Sequence, residues 1–292
     1  MFHRFRVVRP DSVGEAVALL REHGDGAKVV AGSTAMTIML RQGLLTPTIL
    51  VSIAGLEALR TIRLRNDALE IGALATHRDV ELSAVVRENA PLLSEAFAKV
   101  ANVRVRNAAT VGGVLAEADY ASDPPAALLA LDAEILVEGS TRRSVPIAEF
   151  FVGFYETVLE PHEIITGVRV PLTAHRGYAY EKFVTRSSED RPCIAVAALV
   201  EVDAHGDCVD ARIAVGGATE TPLRLPEVEA TLRDRPIDLA AAAVIGQAYA
   251  DAAKPLSDMR GSSWYRREMI TVWARRSLVV AAAMAVSRGG RQ

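Results

Sequence analysis

Two short segments carry residue types that could hold a phosphate. One is Ala31-Gly32-Ser33-Thr34-Ala35 and the other is Thr110-Val111-Gly112-Gly113-Val114. Glycine lets a backbone approach a ligand closely and adopt positive φ. Successive amide N–H groups at a helix start, or in a nest, hold phosphate oxygens. The hydroxyls of Ser33, Thr34 and Thr110 add donors. Two such segments, one from each half of an N-terminal region, could clamp one pyrophosphate from both sides. Neither matches the Rossmann or P-loop spacing, so on spacing alone tight turns are the simpler account.

Other chemistries find less support. The two cysteines, Cys193 and Cys208, are too few for an iron–sulfur cluster, which takes about four thiolates. They do not make a disulfide framework either. The six histidines show no metal-ligand spacing, so no metal site is expected. No Ser–His–Asp arrangement can be read from residue order. His77, near an expected helix start, reads as a satisfied structural histidine. A net charge of −3 argues against a nucleic-acid partner. The longest apolar run, Leu278 to Val286, is far short of the roughly 20 residues that span a bilayer. No secretory signal is visible at the N-terminus. The expectation is a cytoplasmic chain with no membrane span.

The elements that must position these segments can be read in outline. Ser12 and Glu15 have capping-box spacing ahead of a helix through Ala16, Val17 and Leu20, with Gly24 as its stop. A strand over 28–31, a helix over 35–42 and a strand over 49–53 follow. A hairpin is expected over 61–74, turning at Asn66-Asp67. Helices are expected at 76–88 and 91–101, a glycine-bearing loop at 107–113, and a helix from about Ser122 with Pro124-Pro125 in its first turn. From Gly177 the texture changes. Ile194 to Val202 is continuously apolar, Ala211 to Val215 is another strand, and helices close the chain at about 226–233, 238–253 and 263–287. The arginines at 260, 266, 267, 275 and 276 read as a solvated helix face, with a partner-binding surface as the alternative. Trp264 and Tyr265 read as interface anchors or as core.

Several blocks, in order and at matching distances, carry a family resemblance. They are Lys28-Val-Val-Ala-Gly-Ser-Thr-Ala-Met36, Ile71-Gly-Ala-Leu-Ala-Thr-His77, Val105-Arg-Asn-Ala-Ala-Thr-Val-Gly-Gly113, Asp119-Tyr-Ala-Ser-Asp-Pro-Pro125, Tyr180-Glu-Lys-Phe183, Ala214-Val-Gly-Gly217 and Ser257-Asp-Met-Arg-Gly261. Together they resemble the FAD-binding (medium) subunit of the xanthine dehydrogenase and carbon monoxide dehydrogenase family, over nearly the whole chain. The resemblance implies an α+β fold. It would comprise a vanillyl-alcohol-oxidase-like (PCMH-type) FAD-binding domain in two subdomains, 1–55 and 56–173. A C-terminal α/β domain of the carbon monoxide dehydrogenase flavoprotein type would follow at 177–288.

The resemblance also implies the site. FAD would be bound by Lys28, Val29, Val30, Ala31, Gly32, Ser33, Thr34, Ala35 and Met36 in the first block. Ala101, Val105, Ala109, Thr110, Gly112, Gly113, Val114 and Glu117 would contribute from the second, with Ser122, Asp123, Leu159 and Lys182 beyond it. The family's first loop usually reads A-G-G-x-S and its second T-I-G-G-N. Ser33 therefore replaces a glycine and Val114 an asparagine. The stretch Asn102 to Ala109 keeps only the Arg106-Asn107 pair of the usual H-P-Q-I-R-N-R-G. Glu117 stands where many relatives have histidine or threonine. Lys182 matches a lysine that approaches the flavin, where a cation favours the anionic reduced ring. On residue chemistry alone, Ser122 and Asp123 read as helix caps and Lys182 as a solvated strand lysine.

Functionally the resemblance implies an FAD-dependent oxidoreductase subunit with no catalytic residue of its own. It would take electrons from a [2Fe–2S] small subunit beside a molybdopterin-binding large subunit, in a dimer of heterotrimers. It would pass them to an acceptor such as NAD, oxygen or quinone. A stand-alone FAD-dependent oxidoreductase and a non-enzymatic nucleotide-binding scaffold are the alternatives. The polar segment 183–192 is expected to be an exposed, mobile loop beside the flavin ring, with Lys182 at its base.

Overall fold

The computed structural model describes residues 4–172 and 177–289. The boundary expected at 173, and the residues to 176, lie outside them.

The first unit is a three-stranded parallel sheet of Arg6–Val8 (β1), Ala27–Val30 (β2) and Ile49–Ser52 (β3), in the order β1-β3-β2. The sequence reading has no counterpart for β1, whose three residues are too few to show a period. Helix α1 (Val13–His23) joins β1 to β2, and α2 (Met36–Gln42) joins β2 to β3. Ser12 caps α1 by accepting from the Glu15 N–H, while the Glu15 carboxylate takes the N–H of Asp11. The capping box is thus displaced by one residue. Gly24 ends the helix at φ 49°. α1 buries Ala16, Val17 and Leu20 in one core with Ile49 and Val51. The two crossovers run in opposite directions across the sheet. Right-handed connections therefore put α1 and α2 on opposite faces.

The second unit is an antiparallel sheet of five strands. They are β4 (Ile62–Arg65), β5 (Ala68–Gly72), β6 (Glu134–Glu138), β7 (Arg142–Pro146) and, after the small hairpin β8 (Phe151–Gly153) and β9 (Glu156–Thr157), β10 (Ile164–Pro171). The order is β4-β5-β10-β6-β7. Between β5 and β6 lie α3 (His77–Leu82), α4 (Ala84–Asn89), α5 (Pro91–Ala98), α6 (Val103–Arg106), α7 (Val111–Glu117) and α8 (Pro124–Ala130). A short α9 (Ile147–Phe150) follows β7. Two expectations are corrected here. The single helix expected over 76–88 is broken at Ser83, which is extended and caps α4 through the Val86 N–H. The loop expected over 107–113 is in part helix, because Thr110 caps α7 and Gly112 and Gly113 lie in its first turn.

The third unit is the antiparallel sheet β11 (Gly177–Phe183), β12 (Ile194–Val202), β13 (Cys208–Gly216) and β14 (Leu223–Arg224). Helices α10 (Pro226–Glu229), α11 (Leu239–Ala252) and α12 (Ser263–Gly289) follow. β12 is buried on both faces. Ala195, Ala197 and Leu199 join the core of the second unit, while Ile194, Val196 and Ala198 join the core under α11 and α12. That is why its sequence is continuously apolar rather than alternating. α12 is long and apolar enough to cross a bilayer. Here it lies on the sheet, so close that a Cβ on Gly177 would fall 1.9 Å from the Ala281 carbonyl oxygen. The arginine cluster is also corrected in part. Arg266 is wholly buried and pairs with Asp258 at 2.6 Å.

Candidate functional site

β2 runs directly into the first glycine segment. Ser33 takes up φ 62°, and α2 begins at Met36. From Thr37 onward the N–H groups find helical acceptors, beginning with the bond from Thr37 to the Ser33 carbonyl. Before it they find none. Among the described residues, no acceptor meets the N–H of Ala31, Gly32, Ser33, Thr34, Ala35 or Met36, and all six are only partly exposed. Folded backbones seldom leave such a run unpaired. A turn through the left-handed region that aims consecutive amides outward forms an anion-binding nest.

The second segment is built differently. The N–H groups of Val111 and Gly112 donate to the carbonyls of Ala75 and Ala73, at 3.0 and 2.8 Å. That of Gly113 donates to the Thr110 hydroxyl at 3.1 Å, and that of Val114 to the Thr110 carbonyl. Between Ala109 and Val114, only the Thr110 N–H has no acceptor among the described residues. Glycine at 112 is demanded by packing, since a Cβ there would lie 2.7 Å from that of Ala73. Gly32 joins the two segments. Its absent Cβ would fall 1.8 Å from the Ala108 carbonyl oxygen, so the first turn rests on the backbone leading into the second.

A cleft of about 540 Å³ opens between the second and third units. Lys99, Ala101, Arg106, Lys182, Ser188 and Glu189 are among its lining residues, and its size suits a small-molecule site. Arg106 shapes one wall. Its guanidinium pairs with Glu81 at 2.9 Å and donates to the carbonyls of Val100 and Ala101, holding Ala101 at φ 40°. Lys182 forms the base. Its ammonium donates to Asp123 at 2.9 Å and to the Lys99 carbonyl at 2.7 Å, and both members of the ion pair are 5% exposed. The Tyr180 hydroxyl donates to the other Asp123 oxygen at 2.9 Å. Burial raises the Asp123 carboxyl to about 6, against the opposing pull of Lys182. Asp123 makes no side-chain cap on α8. Its two oxygens are engaged across the joint between units instead.

The rim is tied down rather than loose. Arg191 reaches Asp119 at 2.6 Å and Glu117 at 3.5 Å, and Asn102 donates to Glu189 at 3.1 Å. Segment 183–192 is thus tied to the rest of the chain near its C-terminal end, at Glu189 and Arg191. Burial raises the Glu117 carboxyl, and Arg191 opposes the shift. His77, expected as a satisfied structural histidine, is buried edge-on to Phe97 at 4.9 Å, and its ring nitrogens make no hydrogen bond of good geometry among the described residues. Burial depresses its pKa to about 4, so the ring is neutral near pH 7.

The structure brings most of the expected residues into one region. Lys28, Val29 and Val30 lie on β2 beside the cradle formed by Ala31 to Met36, which abuts Ala108 and Ala109. Val105 lies in α6 and accepts the Ala109 N–H, while Ala101 and Lys182 share the cleft. Asp123 meets Lys182, and Ser122 precedes it. Glu117 faces Arg191 at the rim. Leu159 packs at the flank of the central core. Sequence reasoning does not single out Lys99 and Glu81, and it notes Arg106, Asp119 and Tyr180 only within family motifs, without a role at the site. Tyr180 had a signal, because it lies two residues from Lys182 and so shares its strand face. Lys99 had none.

A model of the FAD binding domain in molybdopterin dehydrogenase matches residues 3–173, and one of the carbon monoxide dehydrogenase flavoprotein C-terminal domain matches residues 178–281. The chain is 36% identical to the 6-hydroxypseudooxynicotine dehydrogenase complex subunit alpha of Paenarthrobacter nicotinovorans, over 95% of this chain and 94% of that one. It is 34% identical to the carbon monoxide dehydrogenase medium chain of Hydrogenophaga pseudoflava, over 94% and 96%. A solved structure of carbon monoxide dehydrogenase from the latter organism superposes with a TM-score of 0.93, covering 97% of this chain and 99% of that one at 34% identity. Quinoline 2-oxidoreductase from Pseudomonas putida 86 gives a TM-score of 0.93 at 28% identity, covering 98% and 99%. The chain therefore belongs to the FAD-binding subunits of the molybdenum hydroxylase family, and it is an oxidoreductase subunit whose cofactor is FAD.

Proposed function

We propose that the chain takes electrons from a [2Fe–2S] subunit and passes them to an external acceptor, within a complex that also holds a molybdopterin-binding subunit. The observation that carries this reading is the run of unpaired amides from Ala31 to Met36. It fits the pyrophosphate of FAD, and the nearby cleft of about 540 Å³ has room for a ring system. FAD, when bound, supplies the redox chemistry: it accepts electrons singly and releases them in pairs.

The chain's own residues bind and orient. The amides of the first segment hold the phosphates, with Thr110 beside them. Arg106 fixes the wall at Ala101. Lys182, anchored by Asp123, keeps a positive charge at the base of the cleft and favours the arrival of electrons there. No general base is needed, and the cleft's ionised groups are committed to partners. Lys182 is held by Asp123, Arg106 by Glu81, and Glu189 by Asn102. Segment 183–192 edges the cleft, where Arg186 and Arg191 would meet an acceptor such as NAD, oxygen or quinone. The relatives' names support the assembly, because several are subunits or medium chains of larger enzymes.

The test is to co-express the chain with its neighbouring genes and determine polypeptides, FAD, iron and molybdenum in the active preparation. Three polypeptides with all three cofactors are expected, in a dimer of heterotrimers. Full activity from this polypeptide alone would contradict the reading.

A further inference from the structure

Tyr180 is buried, and its hydroxyl is engaged inside the protein. It stands two residues from Lys182 on β11, so both side chains leave the same face of the strand. Ala179, between them and Tyr178, joins the core on the other face. The two residues close on one carboxylate. Tyr180 donates to Oδ1 of Asp123 and Lys182 to Oδ2, each at 2.9 Å. Lys182 also donates to the Lys99 carbonyl, and Lys99 in turn donates to the Tyr180 carbonyl, so the end of α5 and β11 are tied in both directions. An ammonium has three N–H donors. Two are taken, the third has no acceptor among the described residues, and Lys182 lines the cleft.

We propose that Tyr180 is a positioning residue that acts through Asp123 on Lys182 and thereby sets the reduction potential of FAD. The proposal rests on the reading given above that the redox ring lies in the cleft beside Lys182. An ion pair carries no net charge, so the field it sends into the cleft depends on whether the carboxylate stays ionised and where it sits. Tyr180 controls both. Its hydroxyl fixes Oδ1 and so leaves Oδ2 to Lys182, and a hydrogen bond to the ionised form stabilises that form. Burial pushes the phenol well above its ordinary value, so it remains a donor. Lys182 and Lys99 are the charged groups that bear on Asp123 from β11 and the end of α5. β12 and β13 bring the apolar side chains Ala195, Ala197, Leu199 and Ala214 to the same core. Burial has already raised the Asp123 carboxyl to about 6. Without the hydroxyl it takes up its proton at still higher pH. Lys182 is then uncompensated, and a net positive charge favours the reduced, more negative ring.

The test titrates FAD on the full chain with dithionite against a reference dye, at intervals across pH 5 to 9, in Tyr180→Phe, Asp123→Asn and Lys182→Met. Each variant is read as its difference from wild type at the same pH, which cancels the flavin's own proton dependence. FAD content and melting temperature report folding. At pH 7 Tyr180→Phe should favour the reduced form by about tenfold, which is ~30 mV for a two-electron couple. That difference should fade towards pH 5 and towards pH 9, where wild type and variant carry the same charge on Asp123. Asp123→Asn should show its difference in full at pH 9 and lose it by pH 5. In the Asp123→Asn background, Tyr180→Phe should change nothing further. No difference at pH 7, or the same difference at every pH, in folded Tyr180→Phe overturns the proposal. If Tyr180→Phe does not fold, Asp123→Asn decides, and a difference independent of pH overturns the proposal. Loss of FAD from both variants overturns it as well. Lys182→Met tests the underlying reading separately. It should lower the potential, and a wild-type value would put the ring elsewhere and remove the reading and the proposal together.

Discussion

From Ala31 to Met36 the backbone presents amides with no acceptor among the described residues, whereas from Val111 to Val114 every amide already has one. In sequence the two segments look equivalent, each a small-residue run with glycine and a hydroxyl. In the fold they divide the labour. The first is the cradle, and the second is a buttress whose bonds to Ala73, Ala75 and Thr110 fix where the cradle can stand. Glycine in these segments records close approach, but at Gly32 and Gly112 what approaches is the chain's own backbone or side chain. Ligand capacity is read from donors left unpaired, not from glycine itself.

The largest effects should come from filling those close approaches. Gly32→Val and Gly112→Val must push apart backbone 1.8 Å and a methyl group 2.7 Å from the new Cβ. Overpacking of this kind costs about 1–3 kcal/mol or more. Both variants should lose melting temperature and FAD together. Gly55→Ala, with nothing within 4 Å, is the control that should change neither. Wild-type stability and flavin occupancy in Gly32→Val would break the claim that the segments abut.

Next come two buried groups that titrate in opposite senses. Asp123 is raised from 3.8 to about 6, so its contribution is complete below pH 3.8 and lost as pH rises through 6. Asp123→Asn should therefore gain stability relative to wild type between pH 4 and pH 6. His77 is lowered from 6.5 to about 4, so its contribution is complete above pH 6.5 and lost as pH falls through 4. His77→Phe should resist acid better than wild type over that window. Each effect is on the order of 1–3 kcal/mol, and urea titrations across pH 4 to 7 would measure both. An Asp123→Asn curve of opposite slope would mean that Lys182, not burial, governs the carboxyl.

The buttress can then be weakened at one bond. Thr110→Ala removes the cap on the Gly113 N–H and should cost about 1 kcal/mol, with FAD affinity falling severalfold in a fluorescence titration. No loss in either quantity would detach the cap from the site. The smallest effect is expected at Ser33. Ser33→Gly relieves a side chain held at φ 62°, but the added freedom of the unfolded glycine offsets most of the gain. The net change in denaturant unfolding should be a few tenths of a kcal/mol. A loss of 2 kcal/mol or more would show that the hydroxyl carries a bond of its own.

Much of this arrangement could be read from residue order. The α1 cap, the Asn66-Asp67 hairpin and the doubly buried run at Ile194 are local patterns, and the fold keeps them. What could not be read depends on which partner a group takes, three residues away at Ser83, eight at Arg266, and far along the chain elsewhere. The break at Ser83 comes from a side chain that caps a new helix rather than continuing the old one. The buried state of Arg266 depends on Asp258, and the anchored rim on Arg191 meeting Asp119. The pairing of the Val111 and Gly112 amides is set by Ala75 and Ala73, more than thirty residues earlier. No spacing rule in the glycine segment itself announces that.

Hydrogen exchange, read by mass spectrometry on the protein with and without FAD, tests the division of labour most directly. The amides of 31–36 should exchange quickly without FAD and become protected when it binds. Those of 111–114 should be slow in both states, because the chain already pairs them. Protection gained at 111–114 with 31–36 unchanged would contradict the account and make the second segment the cradle.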